Sequence, residues 1–351
     1  MGEHLLDNAG VLLARCGFDA APIVVANNTI LRLHGAELLR SLQRTFGRTE
    51  IIRIGDGERY KNHESLLKIY RDMFRAKADR RSWLLAFGGG VIGDIAGFAA
   101  ATFMRGIPFV MAPTTLLAQV DSSIGGKVGI NVAEGKNLIG AFHHPSAVLS
   151  DTHVLKTLPK RELAAGLYEI LKCGAIRSKA LLRYLEQKLP EILDCRFSAM
   201  QHAIIAAAQI KADVVASDER EKGLRMILNY GHTIGHAFEA ATDYRRFRHG
   251  EGVAWGMIAA LAYGRELGLL QSDEAEWMDR LIRRVGLLPS LKDISFARVW
   301  SALARDKKFR SGDIRMIFLR RLGEAEIRAD VDASPLKQFL KRFLSAGGNM
   351  I

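Results

Sequence analysis

Ser82-Trp-Leu-Leu-Ala-Phe-Gly88-Gly-Gly-Val-Ile-Gly93-Asp94 is the stretch whose reading decides the fold class. The apolar run Trp83 to Phe87, stopped by glycine, has the character of a short strand buried on both faces. The glycines match G-x-G-x-x-G and lead into an Ala-rich helix predicted over Asp94 to Phe103. Residues without a Cβ let a backbone approach a diphosphate, whose charge then sits on the helix N-terminus. Two features depart from the usual dinucleotide fingerprint. No acidic residue follows at about 20 positions, and the turn comes after several elements instead of after the first strand. Tight packing of helix on strand accounts for the glycines equally well.

Working outward, short apolar runs alternate with helical patterns. Ala21 to Ala26, Ile51 to Ile54 and Phe109 to Ala112 read as strands, and Ala36 to Thr45 and Glu64 to Lys77 as helices. Strands alternating with helices indicate a parallel, covered sheet. Beyond Thr157-Leu-Pro159 the pattern changes. Lys160 to Ile176, Lys179 to Leu193, Ser198 to Ala216, His232 to Ala241 and Val253 to Leu267 carry apolar residues at helical spacing, with a late hairpin at Ile314 to Ile327. The expectation is a Rossmann-like α/β domain with a parallel sheet over 1–159, followed by a mostly α-helical domain over 160–351.

The chain has 351 residues, 48% hydrophobic and 25% charged, the balance of a folded globular protein of two domains. No apolar run reaches the roughly 18 residues that would span a bilayer. The N-terminus lacks a basic region before an apolar one, so a cytoplasmic location without membrane attachment is expected. Cys16, Cys173 and Cys195 are too few and too scattered for a disulfide framework or a thiolate metal site. The net charge of +12 admits a nucleic-acid binder, a protein with basic helix faces, or an enzyme steering a small polyanion. The Arg-rich pieces lack interleaved aromatics, which argues against nucleic acid.

Four further motifs carry chemistry. Asp121-Ser-Ser-Ile-Gly-Gly-Lys127, followed by Gly135-Lys136-Asn137, offers lysines beside glycines, either as an anion cradle without Walker spacing or as a solvated loop. Asn229-Tyr-Gly-His232-Thr-Ile-Gly-His236 puts two histidines on one helix face. Thr233 stands where a metalloprotease needs Glu, so that reading fails. With His249 the set approaches three ligands and an open position, although hydrogen-bonded structural histidines remain an alternative. Glu169-Ile-Leu-Lys172 reads by itself as an intrahelical ion pair. Lys211, Asp218-Glu-Arg220 and Arg225 read as a charged, solvated turn.

In this order the blocks resemble the 3-dehydroquinate synthase family of sugar-phosphate cyclases. Phe-Met-Arg105-Gly, Pro-Thr114-Thr115-Leu-Leu-Ala, Asp121 to Lys127, Gly-Lys136-Asn137-Leu-Ile-Gly and Leu-Asn229-Tyr-Gly-His232-Thr-Ile-Gly-His236 carry the likeness, which spans about Ile51 to Gly323. The resemblance implies a lyase of the shikimate pathway that uses NAD and a divalent ion, zinc or cobalt. It acts on a small anionic sugar phosphate, 3-deoxy-D-arabino-heptulosonate 7-phosphate. It implies Glu169, His232 and His249 as metal ligands, with His236 facing the substrate. Glu58, Lys61, Gly89, Gly90, Asp94, Thr114, Thr115, Asp121, Lys127 and Lys136 would surround NAD. Arg105, Lys127, Asn137 and Lys308 would meet the phosphate, with Lys307 the alternative to Lys308. Asp121, Lys172 and Lys211 would meet the hydroxyls, and Arg225 with Asn229 the carboxylate. Of these, His236, Lys127, Lys172 and Asp121 are the candidate catalytic groups. Where the family often holds the adenosine ribose with Asp, this chain has Asn27. A homodimer is implied because the arginine equivalent to Arg105 can come from a neighbouring subunit. Sister cyclases making valiolone-, inosose- or aminated-type products share this machinery, and metal-dependent glycerol and alcohol dehydrogenases share the glycine turn.

Overall fold

The computed structural model describes residues 1–305 and 314–351, so Lys307 and Lys308 lie outside the described residues. The chain forms two compact units, Met1–Pro159 with Met200–Ala208, and Lys160–Ala199 with Gln209–Ile351.

In the first unit, β1 (Ile23–Ala26), β2 (Glu50–Arg53), β3 (Leu84–Gly88), β4 (Phe109–Pro113) and β7 (Ala147–Val148) form one sheet in the order β2-β1-β3-β4-β7. Every pairing in it is parallel, with Val25 opposite both Ile52 and Ala86, and Leu84 opposite Phe109. The helices are α1 (Ala9–Arg15), α2 (Asn28–Phe46), α3 (His63–Arg75) and α4 (Gly90–Thr102). Val25, Leu84, Ile95, Ala96, Ala99 and Phe109 are fully buried in one apolar cluster. Two helices start earlier than their apolar pattern predicts. The Asn27 side chain accepts from Ile30 N at 2.8 Å and so caps α2 at Asn28, eight residues before the expected start at Ala36. The α4 helix begins at Gly90 instead of Asp94, and Gly93 and Gly97 are buried within it without breaking it. The block read as a glycine loop holds a hairpin, β5 (Lys127–Val132) and β6 (Gly135–Phe142), after Gly125 and Gly126, both at positive φ.

The second unit contains α5 (Lys160–Arg177), α6 (Lys179–Leu193), α8 (His232–Ala241), α9 (His249–Glu266), α10 (Ser272–Val285), α11 (Phe296–Arg305) and α12 (Ala333–Ser345). The intervening α7 (Phe197–Ser217) gives its middle residues to the first unit. An antiparallel hairpin, β8 (Ile314–Arg321) and β9 (Glu324–Val331), runs somewhat past its predicted end. The α9 helix is buried from Gly250 through Gly264, which makes it the centre of this unit. Its crossing with α8 is close enough that a Cβ on Gly235 would lie 2.5 Å from Gly252 O, and one on Gly256 1.8 Å from Gly231 O. No helix among the described residues is long and apolar enough to cross a membrane.

Candidate metal centre and nucleotide turn

Three helices of the second unit meet at a cluster of histidines. His232 opens α8, His236 follows one turn later, and His249 opens α9. One ring nitrogen from each lies within 4.8 Å of the others, and the ring centroids are 5.2 to 5.5 Å apart. From α5, Glu169 points its Oε1 to 3.8 Å from His232 Nε2 and 3.7 Å from His249 Nε2. These separations exceed a hydrogen bond. They approach the roughly 3.3 Å expected between two ligand atoms each about 2.0–2.1 Å from a tetrahedral zinc.

The carboxylate is the informative group. Glu169 is 1% exposed, and although Lys172 Nζ is ion-paired with its Oε2, neither oxygen accepts a hydrogen bond of good geometry among the described residues. A buried anion left in this state is costly, and a cation between it and the imidazoles satisfies it. Each flanking imidazole is already engaged on its other nitrogen. His232 Nδ1 lies 3.2 Å from Tyr230 O, and His249 Nδ1 lies 3.1 Å from Glu239 Oε1. Burial, and then the nearby Lys172 ammonium and the two other imidazoles, holds His232 well below the usual imidazole range. It is therefore neutral at neutral pH, the form that binds metal. The residues fit a divalent ion. His236 is the exposed member of the three.

The N-terminus of α9 is fixed to α5 by a second carboxylate. Glu251, 2% exposed, accepts from Arg248 N at 2.7 Å and from Arg161 Nε and Nη2 at 2.5 and 2.7 Å. Glu169 and His249 sit on the two helices so joined. Upstream of α8, Asp218 accepts from the backbone N–H groups of Lys222, Gly223 and Arg225 at 2.7 to 3.1 Å, which also lowers its pKa. The turn read as solvated therefore has a buried side: Lys211 is 7% and Arg225 3% exposed. Arg225 donates to Glu219 O, and Asn229 Nδ2 donates to Glu221 Oε1 at 2.6 Å.

In the first unit the sheet order places a topological switch between β1 and β3, since the chain leaves β1 for opposite sides of the sheet. Ligands of such sheets bind beyond the carboxyl ends of the strands at that switch. Asn27 and the turn at Gly88 and Gly89 lie there. Gly89 caps α4 without any side-chain hydrogen bond, and a Cβ on Gly89 or Gly90 would press on Thr115 or Ser122 at 3.1 to 3.2 Å. Thr114 Oγ1 and Ser122 Oγ are buried with no hydrogen-bond partner among the described residues. Open amides and orphaned hydroxyls at a helix start suit a diphosphate. Asn27 also donates to Asp56 Oδ1 at 3.1 Å, which brings a carboxylate beside the position where the family often has Asp.

Glu58, Lys61, Asp94 and Asn137 form a connected group. Buried Lys61 is paired with Asp94 and donates to Asn137 Oδ1. Asn131 Nδ2 donates to Glu58 Oε1 at 2.7 Å and accepts from Asn137 N at 2.9 Å. Burial raises the Asp94 pKa, with Lys61 opposing that shift. Glu58, Lys61 and Asn131 also line a cleft of about 600 Å³. Lys127 begins β5 and is exposed, Lys136 is exposed on β6, and Asp121 is partly buried in the short helical segment Ala118–Ser122 before them. Arg105 is exposed, with left-handed backbone at φ 70°. Glu239, Glu251 and Arg161, which motif spacing does not mark, therefore pack beside the histidine cluster, and Asp218, read as part of a solvated turn, instead closes that turn.

Among solved structures, the fold is similar to 2-epi-5-epi-valiolone synthase from Streptomyces hygroscopicus subsp. jinggangensis 5008, solved with NAD+ and Zn2+ bound. Identity is 29% and the TM-score 0.86, over 98% of this chain and 95% of that one. It is also similar to a 2-deoxy-scyllo-inosose synthase complexed with carbaglucose-6-phosphate, NAD+ and Co2+, at 27% identity and a TM-score of 0.85, over 99% and 95% of the two chains. The class that the fold defines is that of the sugar-phosphate cyclases. Glycerol and alcohol dehydrogenases, at 13 to 17% identity, share the fold alone. The N-terminal model of 3-dehydroquinate synthase matches residues 51–165 and the C-terminal model residues 166–309. A 3-dehydroquinate synthase of Pelotomaculum thermopropionicum is 42% identical over 351 residues, covering 100% of this chain and 94% of that protein. The chain belongs to the 3-dehydroquinate synthase family and is an enzyme.

Proposed function

We propose that the chain converts 3-deoxy-D-arabino-heptulosonate 7-phosphate to 3-dehydroquinate and phosphate, with NAD and a zinc or cobalt ion as cofactors. The observation that carries this reading is the buried Glu169 carboxylate, unsatisfied and facing the Nε2 atoms of His232 and His249. Residues 1–159 would hold NAD at the turn of Gly89 and Gly90 with Glu58, Lys61, Asp94, Thr114, Thr115, Asp121, Lys127 and Lys136. Residues 160–351 would hold the metal.

When bound, the metal supplies Lewis-acid polarisation of substrate oxygens and NAD an acceptor, later a donor, of hydride. The protein's part is to bind and orient. Buried Arg225, with Asn229, would hold the carboxylate, and Lys172, Lys211 and Asp121 the hydroxyls. Arg105, Lys127, Asn137 and Lys308 would hold the phosphate. Oxidation of one alcohol makes the neighbouring C–H acidic, so phosphate can leave by β-elimination. The substrate phosphate is itself basic enough to take that proton, which lessens the demand on a protein base. His236, the exposed member of the histidine cluster, would carry protons in ring opening and closure. Two cations buried near one turn, in a chain of charge +12, suit a substrate bearing both phosphate and carboxylate. The reading includes a cytoplasmic homodimer, supported by the few, scattered cysteines and the exposure of Arg105.

The test supplies pure protein with NAD, zinc and the heptulosonate phosphate, and follows phosphate release and 3-dehydroquinate. Turnover of sedoheptulose 7-phosphate, and none of the heptulosonate, would move the chain to a sister cyclase. Arg225→Ala is expected to lower kcat/KM for the carboxylate substrate by about 100-fold or more, the cost of leaving a charged partner unpaired. Unchanged kcat/KM would remove Arg225 from the site.

A further inference from the structure

We infer that Glu239 is a positioning residue for the metal centre, and that Gly252 is the seat that lets its carboxylate reach His249. The inference rests on the reading of His249 as a ligand. Glu239 lies on α8 and is 5% exposed, although it belongs to no motif discussed above. Its Oε1 is 3.1 Å from His249 Nδ1, across the crossing of α8 with α9. A carboxylate accepts only, so the hydrogen bond assigns the proton of the neutral imidazole to Nδ1. The lone pair is then left on Nε2, the atom facing Glu169 Oε1. One bond thus fixes both the tautomer and the ring orientation that a metal needs, and it raises the basicity of the ligand.

Gly252 shows that the path of this carboxylate is built into the backbone. A Cβ at Gly252 would stand 2.8 Å from the same Oε1 and 2.9 Å from Glu239 Cγ. Any side chain there displaces the carboxylate from His249, or forces α8 and α9 apart. His249 is a third exposed at the first residue of its helix, so the bond to Glu239 ties a partly open ring to the buried crossing. His232 has the equivalent support from a backbone carbonyl, which no side-chain change removes.

The experiment titrates the metal-free full-length protein with Zn2+ against a competing chelator, and records the Co2+ absorption spectrum. Glu239→Ala and Gly252→Ala are each expected to weaken Zn2+ binding by about 10–100-fold and to alter the Co2+ bands. Glu239→Gln, which keeps the shape and one acceptor oxygen, is expected to lose less, and it carries the test if the alanine variants do not fold. In a His249→Ala background, Glu239→Gln should cause no further loss, because the group acts through that ring. Zn2+ affinity unchanged by His249→Ala would overturn the ligand reading and this inference with it. A loss in His249→Ala with wild-type affinity and spectra in the Glu239 variants would overturn the inference alone. Equal losses from Glu239→Gln with and without His249 would reduce Glu239 to a general structural role.

Discussion

Among the described residues, two clusters bring histidines and a carboxylate together, and they differ in burial, partners and charge. His232, His236 and His249 meet beside Glu169 in the helical unit, while Glu3, His4 and His153 meet at the edge of the α/β unit. In each set the ligand atoms lie within 4.8 Å of one another. At the second cluster Lys156 Nζ already sits 3.0 Å from Glu3 Oε1 and 3.4 Å from His153 Nδ1, where an incoming cation would have to go. Its carboxylate has a partner and is partly open to solvent, and the Glu3 pKa is lowered chiefly by the bond from Lys156. At the first cluster the carboxylate is buried and its hydrogen-bonding capacity is unfilled. Proximity of ligand atoms therefore does not make a site. Desolvation with an unmet electrostatic need does, together with neighbours that fix each ring.

The comparison can be broken most forcefully at Lys172. Without metal, Lys172→Ala strips the buried Glu169 of the ammonium paired with its Oε2, and a loss of about 3–5 kcal/mol in unfolding free energy is expected. Saturating zinc should return a substantial part of that loss, because the ion takes over the role of the ammonium. Denaturant melts with and without zinc measure both effects; an equal loss in both would mean the cation and the carboxylate do not communicate.

A smaller effect calibrates burial without ligand function. His34 is 7% exposed and its Nε2 lies 2.7 Å from Thr157 Oγ1. Desolvation lowers its pKa, so the unfolded state takes up the proton at a higher pH than the folded one. Its contribution to stability is complete above the unfolded value of about 6.5 and is lost as pH falls from there through the folded value. His34→Gln should flatten the melting temperature against pH across that window, and an unchanged slope would assign the effect elsewhere.

The smallest effect sharpens the contrast from the other side. Replacing both His4 and His153 by Ala should alter stability by no more than about 0.5 kcal/mol and leave the number of tightly bound zinc ions unchanged. Loss of one equivalent by metal analysis would make the exposed cluster a real site.

Much of this was legible in the residues, for identifiable reasons. The apolar run before Gly88 and the spacing of His232, His236 and His249 are local signals, and local signals survive folding. Glu169 by itself did not read as a ligand, because a Glu and a Lys three apart look the same on a solvated face as in a core. The β5–β6 hairpin leaves no signal in the sequence because β6 is exposed along most of its length and shows no alternation. The start of α9 does not show in the sequence because Gly250 and Gly252 look like breakers, whereas the Glu251 carboxylate accepts from the Arg248 backbone N–H and so caps the helix. Glu239 was beyond reach, since its meaning comes from the crossing of two helices and not from its neighbours in the chain. Asp218 is similar, as its role is visible only once the turn it closes has formed.

The glycines at the crossing of α8 and α9 also bear on what inheritance can do with this enzyme. Every replacement of glycine adds volume, so mutation at Gly235 or Gly256 has only one direction in which to go. The obstacle each new carbon would meet is main-chain oxygen, 2.5 Å from Gly235 and 1.8 Å from Gly256. A second-site change can shrink a side chain, but it cannot shrink a carbonyl. Descendants of this sequence are thus free to vary the surface and to trade apolar residues in the core, while the crossing that sets the histidines has no compensated route of escape.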